Sequence, residues 1–234
     1  MTELSYRTAL IVGVGAGLSA SLARTFTKAG MQVALAARRA GELSGLAKEV
    51  GGRAFACDAT RHAEVAKLFG EVEAAFATPD VVVYNASYRT RGPFVELDPA
   101  EVEKSISVSA FGGFLVAQEA VKRMLPHKHG AILFTGASAS VKGYAQSAPF
   151  AMGKFALRGL AQSLARELSP QGIHVGHVVI DGGIGRPGDP RGANRGPDAL
   201  LDPDAIADTY FHLHRQQRSA WAWEVELRPW VETF

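Results

Sequence analysis

The residues best suited to chemistry begin with a glycine-rich turn. Gly13, Gly15 and Gly17, then Leu18 and Ser19, separate an apolar run at 9–12 from a helical pattern whose face is Leu22, Ala23, Phe26 and Ala29. Such a turn suits a phosphate. Backbone N–H groups at a helix N-terminus point at the anion, the helix dipole favours negative charge, and a Cβ would hold the anion away. The Ser19 hydroxyl is a further donor for that phosphate. A second apolar run, 33–37, ends at Arg38, whose fork of N–H donors also fits a phosphate. Asp58 follows a short run at 53–57, and Asn85 follows Val81-Val82-Val83-Tyr84.

Other polar groups read as structural. His127 and His129 form an i, i+2 pair with no further ligand near in sequence, which describes a solvated loop better than a metal site. His174 and His177 stand at odd spacing on one strand, so they face opposite sides, and at most one is expected to look inward. The single cysteine, Cys57, has no internal partner, which points to a reducing compartment, the cytoplasm. The first residues show no basic region followed by an apolar core, and no apolar run is long enough to span a membrane. A net charge of +2 argues against a nucleic-acid or membrane-surface partner.

Elements must bring the chemical residues together. The turn, its helix and two strands make a βαβ unit. Helical patterns at 43–50, 61–76, 98–124, 149–168 and 203–216 alternate with apolar runs at 53–57, 81–84, 130–135, 173–180 and 223–227. This alternation predicts a single α/β domain over 1–234, a doubly wound sheet of about seven mostly parallel strands with helices on both faces. Residues 13–19, Arg38, Asp58 and Asn85 all fall at the carboxyl ends of strands, where such sheets bind ligands. Residues 181–203 are rich in Gly, Pro and Arg and read equally well as a loop over that site or as a surface connection. Trp221, Trp223 and Trp230 crowd the C-terminal end and are assigned to assembly.

The spacing Gly13-x-x-x-Gly17-x-Ser19 resembles the T-G-x-x-x-G-x-G turn of short-chain dehydrogenases/reductases, with Val12 for the threonine and Ser19 for the last glycine. Asn85-Ala86-Ser87 is similar to that family's N-A-G element, and Asp58 to its acidic residue after the third strand. The resemblance implies a Rossmann-type fold, a nicotinamide cofactor with Asp58 near its adenine, a small-molecule substrate, and a homo-oligomer (dimer or tetramer). NAD-using members carry an acid at the end of the second strand; Ala37-Arg38 stands there instead, so NADP(H) is favoured over NAD(H). The family's catalytic Tyr-x-x-x-Lys is matched by Phe150-Ala-Met-Gly-Lys154, its serine by Ala137, and its asparagine by Ser109. Lys154 alone is retained. Asp181 replaces the proline that usually follows the sixth strand. Two functions follow from the resemblance. One is an NADP(H) oxidoreductase of a small carbonyl or alcohol, its proton coming from Tyr144, Ser138 or water. The other is an NADP(H)-binding protein without turnover, acting as a sensor or assembly partner.

Overall fold

The computed structural model describes residues 6–186, 189–192 and 195–232. Seven strands form one sheet: β1 (Thr8–Val12), β2 (Gln32–Ala37), β3 (Arg53–Ala56), β4 (Val81–Tyr84), β5 (Ala131–Thr135), β6 (His174–Ile180) and β7 (Glu224–Leu227). Their order is β3-β2-β1-β4-β5-β6-β7. Every described pair is parallel, so the sheet is more uniform than the expected mostly parallel one. Strands β1, β4 and β5 are buried throughout, as a sheet covered on both faces requires.

Among the described residues, seven α-helices supply that cover: α1 (Leu18–Lys28), α2 (Ser44–Glu49), α3 (His62–Ala75), α4 (Pro99–Ile106), α5 (Gly112–Met124), α6 (Ala148–Leu168) and α7 (Pro203–His214). Alternate strand residues point to opposite faces, and two cores result. Leu10, Val82, Tyr84 and Phe134 meet α3, α5 and α6. Ile11, Val83 and Leu133 meet α1, α2 and α7. Asp98 and Asp202 cap α4 and α7 by accepting from the N–H groups of Ala100 and Asp204, and Pro99 and Pro203 follow them in the first turn.

The double cover corrects the histidine expectation. His174 and His177 do face opposite sides, yet both are buried, because each side of this sheet is an interior. His174 stacks on Trp221 and lies 2.9 Å from the Ala222 carbonyl, and His177 Nδ1–H donates to Glu224 at 3.0 Å. Trp221 and Trp223 are therefore used within the chain, the latter against the core and beneath Arg158, while Trp230 stays 76% exposed. His129 also departs from the solvated-loop reading: its ring packs on Tyr6 and lies 3.7 Å from Asp80.

The expected helix over 98–124 is interrupted by a π-helical turn, Ser107–Phe111. The Tyr84 hydroxyl donates to the Val108 carbonyl inside that turn. Gly112 admits the ring, since a Cβ there would lie 2.4 Å from the Tyr84 oxygen. Such bulges recur at functional sites, and this one faces the end of β4, where the ligand cleft opens.

Candidate active site

The strand order reverses between β1 and β4, and there the carboxyl ends open into a cleft of about 930 Å³. Gly13, Gly15, Gly17, Leu18, Ser19, Arg38, Asp58, Asn85, Ser138 and Lys154 all line it. Tyr144 does not. Ser147 N–H donates to the Tyr144 carbonyl, and Gly92 N–H donates to the Gln146 carbonyl. The Tyr144 side chain is 43% exposed at the rim, its hydroxyl beside Lys142. The structure therefore does not bring this candidate donor to the cleft wall.

The glycine turn works by more than leaving room for an anion. Gly13 has φ +89°, and a Cβ on it would stand 2.3 Å from the Ala86 backbone nitrogen. Its lack of a side chain is thus demanded by the chain itself. A Cβ at Gly15 or Gly17 would meet no protein atom within 4 Å, so the space there is open cleft at the N-terminus of α1. Ser19 is corrected too. Its hydroxyl donates to the Gly13 carbonyl at 3.1 Å and accepts from Asn85 Nδ2 at 2.7 Å, which spends its one proton inside the protein. Asn85, Ser19 and Gly13 form one brace that fixes the turn between β1 and β4.

Along the cleft, Arg38 is exposed and has no carboxylate partner within 4 Å among the described residues, although its charge acts on Asp58. Burial works to raise the Asp58 pKa. Bonds from the Thr60 hydroxyl (2.7 Å) and N–H (3.0 Å), with Arg38 and Arg61 nearby, more than offset it and hold the carboxyl below its usual range. Asp58 is an anchored anion facing a free cation.

At the other end, Lys154 is 3% exposed and donates to the Thr135 carbonyl at 2.7 Å. Burial pushes its pKa down to about 8. One helical turn away, the Phe150 ring lies 5.7 Å from the Lys154 ammonium and carries no proton. Ala137 is inert as a side chain. Ser140, two residues beyond Ser138, is buried and accepts from Ala137 N–H at 3.1 Å, leaving Ser138 as the hydroxyl of this turn that lines the cleft. Ser109, in the π turn, accepts from Tyr88 N–H at 3.4 Å. Ser138, the Lys154 ammonium and water could each protonate an oxygen at this end of the cleft.

Sequence reasoning missed two contributors, Thr135 and Arg89. Thr135 holds Lys154 through its carbonyl and the Tyr210 hydroxyl through its own (2.8 Å), a role set by tertiary contact alone. Arg89 lies over Phe150 at 4.7 Å and lines the cleft. Asp181, where a proline was expected, is buried against Lys142 (3.2 Å) and Arg228 (3.1 Å) and holds the start of the following loop. That loop returns on itself through Gly185 N–H to Leu201 O (2.8 Å), and Gly182, Ile184, Arg186 and Arg191 line the cleft. The loop reading thus falls partly on described residues; 187–188 and 193–194 lie outside them.

Comparison with known proteins agrees with this geometry. The family profile described as short chain dehydrogenase matches residues 7–184. The 3-oxoacyl-acyl-carrier-protein reductase MabA of Mycobacterium bovis is 30% identical over 178 residues, 76% of this chain and 69% of that protein. The crystal structure of a short-chain dehydrogenase from Rhodopseudomonas palustris has a TM-score of 0.84 at 33% identity, covering 96% of this chain and 99% of that one. A metagenomic short-chain oxidoreductase crystallised with NADP has a TM-score of 0.82 at 28% identity, covering 97% and 99%. The profile spans most of the chain and a relative reaches 30% identity over three quarters of it, and the chain belongs to the short chain dehydrogenase family.

Proposed function

We propose that this protein transfers hydride between NADP(H) and a small carbonyl or alcohol, at a site that lacks the tyrosine acid. One observation carries the reading: a single cleft holds the open N-terminus of α1, the unpaired Arg38 and the buried Lys154. The α1 N–H groups would take the diphosphate, Arg38 the 2′-phosphate, and Lys154 the nicotinamide ribose. The cofactor supplies the hydride. The chain orients it, and the proton passes through Ser138, Lys154 or water. Turnover of simple carbonyls is slow, because a positioned general acid contributes about 10²–10⁴-fold to rate and Phe150 supplies none. The replacements at Phe150, Ala137 and Ser109 equally favour a second reading, cofactor binding without turnover. Self-association accompanies either reading: α5 and α6 present exposed Phe114, Met152 and Phe155.

The test is a titration of wild type and Arg38→Ala with NADPH and NADH. NADPH should bind more tightly to wild type, and the variant should lose about ten- to a hundredfold for NADPH alone, the worth of a charge-assisted phosphate contact. Equal affinities in wild type would remove Arg38 from the site.

A further inference from the structure

The cleft holds a cation to which the proposed cofactor contacts give no role. Arg89 places its guanidinium carbon 4.7 Å from the centroid of the Phe150 ring, over the residue that stands where the family's catalytic tyrosine would be. Both residues line the cleft. No carboxylate lies within 4 Å of Arg89 among the described residues. The acids of adjoining segments are engaged elsewhere: Glu101 with Lys104 (3.1 Å) and the Tyr88 hydroxyl, and Asp181 with Lys142 and Arg228. Arg91 adds a second positive charge close by. Burial and that neighbour both work against the Arg89 charge, so the cleft gains from an anion there.

The backbone carrying Arg89 is held on both sides. Tyr88 N–H donates to Ser109, and the Tyr88 carbonyl accepts from the Ser105 hydroxyl at 2.9 Å. Gly92 N–H donates to the Gln146 carbonyl at 3.1 Å. The guanidinium lies over an aromatic face and carries its N–H donors in a planar fork, with the Tyr144 side chain near enough to favour its charge. A planar fork of this kind matches a carboxylate.

We propose that Arg89 is a substrate-binding residue and that the substrate carries a carboxylate beside its reacting carbon. This rests on the cleft being the cofactor and substrate site proposed above, and the experiment separates the two ideas. The protein is first saturated with NADP+, monitored by calorimetry. Failure of NADP+ to bind would refute the cofactor reading and the present one with it. With cofactor bound, benzoate and its neutral counterpart benzamide are titrated into wild type, Arg89→Gln and Arg89→Lys, with melting temperatures recorded as a check on folding.

Benzoate should bind wild type at least tenfold more tightly than benzamide. Arg89→Gln should lose about ten- to a hundredfold for benzoate and less than twofold for benzamide. Arg89→Lys should recover part of the loss, since it keeps the charge without the fork. If NADP+ binds and benzoate is not preferred over benzamide, the proposal fails while the cofactor reading stands. A benzoate loss seen in Arg186→Gln instead of Arg89→Gln would also overturn it.

Discussion

Burial gives Lys154 a titration that can be measured. Its charged form is penalised, and its pKa falls from 10.5 to about 8. Below about pH 8 the lysine is protonated in the folded and unfolded chain alike, and the penalty is present in full. Between about pH 8 and 10.5 the unfolded chain holds the proton that the folded chain has released, so stability rises with pH; above that window the penalty is gone. The gap in unfolding free energy between wild type and Lys154→Met should therefore shift in favour of wild type by about 3 kcal/mol as pH rises through the window. A gap independent of pH would show that the ammonium is not desolvated. At this scale the sequence was informative where a residue's type and register sufficed. Lys154 was legible from its spacing to Phe150, and Gly13, Asp58 and Asn85 from their places after strands. Arg89, Thr135 and Glu224 were not, because their roles depend on partners 19 to 75 residues away or on a ring that only the fold brings beneath them. Ser19 and Tyr144 were legible as polar groups near the site, but the sequence does not say which way a hydroxyl donates or how a loop turns.

The β1–α1 turn lines the cleft proposed to hold the cofactor, and two of its glycines should separate their functions. Gly13 combines φ +89° with a Cβ position 2.3 Å from the Ala86 nitrogen. Gly13→Ala should cost on the order of 2–4 kcal/mol of stability, from overpacking and a left-handed alanine. Gly17 has open space before it. Gly17→Ala should keep a melting temperature near that of wild type yet bind NADPH several-fold more weakly, because the methyl group enters the approach of the phosphate. Denaturation curves and cofactor titrations of both variants check this; equal losses of stability would contradict it. Strand and helix alternation was readable because periods of 2 and 3.6 differ clearly in long runs. The π turn at Ser107–Phe111 was not, since the bond that the Tyr84 hydroxyl donates to the Val108 carbonyl inside it joins residues 24 apart. Two buried histidines on β6 were misjudged because odd spacing separates sheet faces, and here both faces are covered.

In the proposed function the molecule joins a cofactor cleft to a proton-transfer end at which Phe150 stands in place of a tyrosine. Its surface also carries a demand of its own. Phe111 and Phe114 stack on each other, 6.0 Å apart, and are exposed, as are Met152 and Phe155 of α6. An apolar set of this kind on adjoining helices is expected to be covered by a second copy. Light scattering should give twice the chain mass for wild type and a monomer for Phe155→Glu; a monomeric wild type would refute self-association. The replacement of a tyrosine acid by Phe150 is tested most directly by steady-state turnover of a panel of small aldehydes, ketones and oxo acids with NADPH, on wild type and Phe150→Tyr, with cofactor affinity measured for both. Wild type should be slow, and Phe150→Tyr should raise kcat by about 10²–10⁴-fold with NADPH affinity unchanged. Brisk wild-type turnover that does not rise in Phe150→Tyr would contradict the account and show that a different acid already serves this cleft.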